Sequence, residues 1–118
     1  MFRFEKLDIW NEAIRYASEI YSLTQKFPRH ELFSLTDQLR RCSGSIAANI
    51  AEGSGSSSNR DFAHYLEISI KSTYESVSHL QIAKEQNYIS EEERAFYYEK
   101  AELLARRIRA FQHKLKSS

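Results

Sequence analysis

The stretch "SIAANIAEGSGSSSNRDF", residues 45–62, begins as an apolar helix, meets Gly53 and Gly55 among serines, and restarts near Arg60. A phosphate-cradling loop needs Gly-x-x-x-x-Gly-Lys-Ser/Thr between a strand and a helix, with the lysine reaching the phosphates. Here no lysine occurs between Lys26 and Lys71, and the loop follows a helical pattern. A dinucleotide fingerprint fails for want of a preceding strand and a third glycine. What remains is a hairpin between two helices, the second capped by Ser57 or Ser58.

Outward from the hairpin, helical periodicity runs through the chain. Leu35, Leu39, Cys42, Ile46 and Ile50 form one stripe that ends at Gly53, and Phe62, Leu66, Ser69, Thr73, Val77 and Leu80 form the next. Near the amino terminus Leu7, Trp10, Ile14, Ala17, Tyr21 and Thr24 alternate in spacings of three and four, up to Phe27-Pro28. Pro28 stops that helix, because the residue before a proline is pushed out of the α region. Ser90 with Glu93 makes a capping box ahead of Tyr97, Ala101, Leu104, Ile108, Phe111 and Leu115. Helices are thus expected at about 5–27, 31–53, 58–86 and 90–115, each roughly 33–42 Å long. Short loops between long helices, with no period-2 run, predict an all-α fold: one antiparallel up-down-up-down four-helix bundle over 1–118.

Composition agrees. Three glycines and one proline in 118 residues leave little material for β-turns. The net charge of +1 is silent about partners, so any electrostatic function rests on where charge sits. Cys42 is the only cysteine, which excludes a disulfide framework and points to a reducing cytoplasm. It reads as a small buried residue, with activation of the thiol by Arg41 as the lesser alternative. MFRFEKLDIW has charges where a signal peptide needs an apolar core, and no apolar run approaches membrane-spanning length. A soluble cytoplasmic protein with no membrane partner is the expectation.

Polar residues inside the apolar pattern are the candidate sites. Asn49 and Glu52 lie three apart on one helical face beside Gly53. They read first as a structural polar motif holding the hairpin, and second as a ligand site shared with Glu75. A bundle metal site built from Glu-x-x-His motifs is not matched by His30, His64, His79 or His113. Glu75 with His79 and His64 with Glu67 read as surface pairs, so neither metal nor cofactor is expected. The serines read as linker (Ser54, Ser56, Ser57, Ser58) or as small residues admitting close helices (Ser69, Ser72, Ser76). Ile9, Ile20, Phe33, Tyr65, Ile68, Ile70, Tyr74, Tyr98 and Leu103 fall off the stripes. Some of these widen the core face, and apolar residues left on outer faces point to self-association.

Charge is polarised along the bundle. The hairpin end shares its side with both termini and gathers Arg3, Lys6, Arg60, Arg106, Arg107, Arg109, Lys114 and Lys116, with no acid from Ala105 onward. Glu31, Glu85, Glu91, Glu92 and Glu93 mark the other end. Acids at the start and bases at the end of the last helix also suit its dipole, at about 0.3–1 kcal/mol each, which explains part of the pattern. Glu5, Asp8, Glu52 and Asp61 dilute the basic end, but subunits assembled side by side would add their fields and hold a phosphate backbone without reading bases. Arg40 and Arg41 form a separate pair, mid-way along the second helix, either solvated or interfacial.

The run "FEKLDIWNEAIRYASEIYSLTQKFPRHELFSLTDQLRRCSGSIAANIAEGSG" followed by "RDFAHYLEIS" resembles the four-helix bundle proteins encoded in intervening sequences of bacterial 23S rRNA genes, also labelled S23 ribosomal proteins. The resemblance is carried best by residues 27–41 and 45–53 and extends to the accessory variability protein of diversity-generating retroelements. It implies a homopentamer, with nucleic acid and a reverse transcriptase as partners of the retroelement relative and no established activity for the intervening-sequence branch. Matching positions are Glu31, Gln38, Arg40, Arg41, Asn49, Glu52, Gly53, Phe62 and Glu75. Ser56 stands where the family often has arginine, and Lys71-Ser72 where it tends to have Gly-Ser, so one base is missing from the basic end. The combined expectation is a non-enzymatic homo-oligomer engaging RNA or a nucleoprotein complex through Arg60, Arg106, Arg107, Arg109 and Lys114. A protein-interaction scaffold is the runner-up, and a hydrolase or ligand-binding bundle around Asn49, Glu52 and Glu75 the third reading.

Overall fold

The computed structural model describes residues 1–117. Its helices are α1 (Asp8–Thr24), α2 (Leu35–Ser54), α3 (Asn59–Glu85) and α4 (Glu91–Lys116), and no strand occurs among the described residues. They pack in chain order around a body of 46 × 22 × 20 Å: α1 on α2, α2 on α3, α3 on α4, and α4 back on α1. The α1–α4 seam is the loosest of these. It is laced by Glu12 with Arg107, Glu19 with Lys100 (3.2 Å) and Lys26 with Glu93. Positions rise by seven along α1 as they fall by seven along α4, the mark of antiparallel helices. The expected all-α antiparallel bundle is what forms.

The helix ends differ from expectation where side chains redirect the backbone. Residues Arg3–Lys6 make a 3-10 turn and Leu7 is extended (φ −88°, ψ 124°), so α1 begins at Asp8 rather than 5. Phe4 packs on Trp10 (5.0 Å between ring centroids), and the Asn11 amide donates to the Glu5 and Leu7 carbonyls at 3.2 and 3.1 Å. At the far end α1 stops at Thr24, and a second 3-10 turn, Arg29–Glu31, precedes α2. Glu31 occupies that start: one carboxylate oxygen accepts from the Ser34 hydroxyl (2.5 Å) and the Leu35 amide (3.3 Å), the other from the Tyr88 phenol (2.8 Å). These donors, Ser34 foremost, hold Glu31 below the usual carboxylate range.

The remaining ends follow capping rules. Ser58 caps α3, accepting from the Asp61 amide at 3.1 Å. α3 ends with Asn87 in the left-handed region (φ 63°), while the Tyr88 amide reaches back to Ala83 O (2.9 Å) and the Asn87 amide to Lys84 O (2.9 Å). The Ser90/Glu93 box forms at 3.1 and 2.9 Å.

The predicted stripes of α2, α3 and α4 are buried or half-buried throughout. That of α1 is rotated. Ile9, Ala13, Tyr16, Ile20 and Leu23 face the core, whereas Ile14 and Tyr21 are 40% and 49% exposed. Ile9, Ile20 and Ile70, which fall off the predicted stripes, widen the core face. Both sets in α1 alternate by three and four, so periodicity sets the repeat but not which of two adjacent stripes turns inward.

α2 and α3 approach closely because their contact is made of small residues. The Ser69 hydroxyl donates to Ile46 O (2.8 Å) and that of Ser72 to Ser45 Oγ (3.0 Å). α2 does not end at Gly53 but passes through it to Ser54. A Cβ on Gly53 would lie 2.7 Å from Tyr65 Cβ and 2.8 Å from Phe62 Cδ1. Across the diagonal, the Tyr16 phenol and Ser76 hydroxyl share a 2.8 Å hydrogen bond through the core.

Candidate nucleic-acid interface

The basic side chains of α4 lie along its second half and are not used alike. Arg106, Arg107 and Arg109 are successive on α4 and therefore leave it in different directions, about 100° per residue. Arg106 turns toward the α3 side, 71% exposed, with Glu102 at 4.0 Å. Arg107 turns toward α1 and is paired with Glu12. Arg109 lies over α3, where its guanidinium holds Glu67 at 2.5 and 3.3 Å and also donates to Gln112 Oε1 at 2.8 Å. The three do not form one patch, and two of them are committed to acids.

Gln112 completes that network. It is 1% exposed, and its amide donates to Ala63 O (2.9 Å) and Glu67 Oε1 (3.0 Å). Arg109 first, then Gln112, pull the Glu67 carboxyl down to about 2. Reading the sequence missed this cluster, although a glutamine spaced with Ile108 and Leu115 on an apolar face was the available signal.

Basic residues that remain on the surface gather in two hollows. Arg60 and Lys116 flank one, with His64 and Leu115 in its wall. Lys6, Arg107 and Lys114 border the other, over Phe111. Arg3 lies across the Phe62 ring at 5.1 Å, fastening the amino-terminal turn to α3.

The other singled-out residues lie elsewhere. Arg40 and Arg41 sit early in α2, near the end of α1, and not mid-way along their helix. Arg40 donates to Thr24 Oγ1 (2.9 Å) and stacks over Tyr21 (4.9 Å), so it ties α1 to α2, while Arg41 pairs with Asp37 at 3.0 Å. Asn49 donates to Ser45 O (2.8 Å) and Ser45 Oγ (2.9 Å) within its own helix, and Glu52 is exposed. Glu75 is not brought to them. It stands level with Cys42, seven residues or about 10 Å of helix before Asn49. Its partner His79 is not a surface residue: the side chain is 14% exposed. Among the described residues no helix is long and apolar enough to cross a membrane.

No curated protein matches the sequence. Among solved structures, that of a protein of unknown function from the S23 ribosomal protein family of Bacteroides thetaiotaomicron VPI-5482 is similar at a TM-score of 0.78. The two share 21% identity over 88% of this chain and 97% of that one, a likeness of fold. The family model described as 23S rRNA-intervening sequence protein matches residues 5–110, nearly the whole bundle, and the chain belongs to that family.

Proposed function

We propose that this protein is a non-enzymatic cytoplasmic homo-oligomer, a pentamer, that holds RNA or an RNA-containing complex at its hairpin end. The observation that carries the reading is the exposure of Lys6, Arg60 and Lys116 at the end where α4 runs out without an acid. Side-by-side subunits would set several such ends in one ring, and contact with phosphates would make affinity fall steeply with salt. Tyr74 and Tyr98, 60% and 42% exposed along the groove between α3 and α4, supply the self-association surface.

The test is fluorescence anisotropy with labelled RNA and duplex DNA at low and near-physiological salt. A Lys6→Ala/Arg60→Ala/Lys116→Ala variant leaves the Glu12–Arg107 and Glu67–Arg109 pairs and the Tyr74/Tyr98 groove intact and so keeps the fold. Salt-sensitive binding lost in that variant is the expected result. Absence of binding at low salt, or undiminished binding by the variant, refutes the RNA reading. In that event the exposed Phe33, Tyr74 and Tyr98 favour a protein-interaction scaffold. Light scattering checks the pentamer, and a monomer at every concentration excludes it.

A further inference from the structure

Away from the basic end, the α2–α3 seam holds a cluster that the proposed function does not use. Cys42 of α2 and Glu75 and His79 of α3 each bring a ligand atom within 4.8 Å of the other two. Cys42 is buried, and its thiol finds only the Leu39 carbonyl of its own helix at 3.4 Å. His79 Nε2 faces Glu75 Oε2 at 3.2 Å, and its Nδ1 is buried without any hydrogen-bond partner. Glu75 is 56% exposed, so the cluster is walled on one side and open on the other.

We propose that Cys42, Glu75 and His79 form a binding site for Zn²⁺. Thiolate, imidazole and carboxylate are the zinc donor types, and three protein ligands leave a fourth position for water. A thiolate selects against Mg²⁺ and Ca²⁺, which prefer all-oxygen sites. Tetrahedral zinc with bonds of about 2.0–2.3 Å needs ligand atoms about 3.3–3.8 Å apart, so the site closes by roughly 1 Å. The half-exposed Glu75 side chain has the freedom to make that movement. One thiolate and one carboxylate balance the dication, so the filled site is neutral, and the thiol proton leaves to solvent as the Zn–S bond forms. Helix geometry supports the arrangement: Glu75 and His79, four apart, share a face, and that face meets Cys42 where α2 and α3 lie close.

The experiment titrates reduced, full-length protein with Co²⁺, which reports thiolate ligation by a sulfur-to-cobalt charge-transfer band, and then displaces it with Zn²⁺. The expected result is a saturable band at one equivalent per chain, reversed by Zn²⁺ but not by Mg²⁺. Cys42→Ser should abolish the band, and His79→Gln and Glu75→Gln should each weaken cobalt binding at least tenfold. No band at excess Co²⁺ overturns the proposal. So does a band that persists at unchanged affinity in His79→Gln, which would mark a thiol binding cobalt alone. Circular dichroism checks each variant, and if Cys42→Ser fails to fold, the histidine and glutamate variants decide.

Discussion

Alanine at Gly53 and at Gly44 should move stability in opposite directions, although both glycines sit inside α2. In a helix interior, glycine to alanine gains about 1 kcal/mol through backbone entropy alone. At Gly44 nothing lies within 4 Å of the added Cβ, so that gain is fully realised. At Gly53 the new Cβ falls 2.7 Å from Tyr65 Cβ, an atom fixed to the α3 backbone, and 2.8 Å from the ring of Phe62, which is 1% exposed. Relief requires α3 to move away, and overpacking of this kind costs about 1–3 kcal/mol. Because neither neighbour is a flexible chain end, we take the upper part of that range, about 2–3 kcal/mol. The net loss is then about 1–2 kcal/mol, and the two variants differ by about 2–3 kcal/mol. Urea unfolding with a shared slope measures this directly. A Gly53→Ala variant as stable as Gly44→Ala would refute the close approach of α2 and α3.

The seam between α1 and α4 offers a second test: Glu19→Lys sets a lysine against Lys100 and should lower stability by up to about 1 kcal/mol at low salt. Adding Lys100→Glu should restore it in thermal melts, and a double variant no better than the single one would remove this pair from the fold. The third concerns acid. Glu67 is depressed from 4.5 to about 2, so its contribution is fully present above about 4.5 and is lost as pH falls toward 2. With the side chain 35% exposed, solvent screening reduces that contribution to about 1 kcal/mol. Glu67→Gln should flatten the stability profile between pH 4.5 and 2 in urea melts, and an unchanged slope there would show the pair with Arg109 to be silent.

Much of this architecture is legible in the residues, and the exceptions have physical causes. The stripe of α2 and the Ser90 cap are local patterns, and they reappear unchanged. α1 carries two adjacent stripes with the same spacing, and only packing against α2 and α4 selects Ile9, Tyr16 and Ile20 over Ile14 and Tyr21. The charged end was visible as composition, but the division of labour among its arginines was not. Arg107 and Arg109 find Glu12 and Glu67 across 95 and 42 positions of chain, contacts no local pattern encodes. Likewise Cys42 and His79 meet only once two helices are folded together.

One rung of the α1–α4 ladder has its charges reversed, with the base at Lys26, just past the end of α1, and the acid on α4 at Glu93. A repeat of seven would otherwise let α4 slide by a heptad, about 10.5 Å, and still find partners. Slid one way, Glu12 would meet Lys100, but Glu19 would face Glu93. Slid the other way, Glu12 would meet Lys114 and Glu19 would meet Arg107, but Lys26 would face Lys100. Either slip thus loses at least one attraction and adds a repulsion, so a single inverted pair keys the loosest seam of the bundle to one alignment.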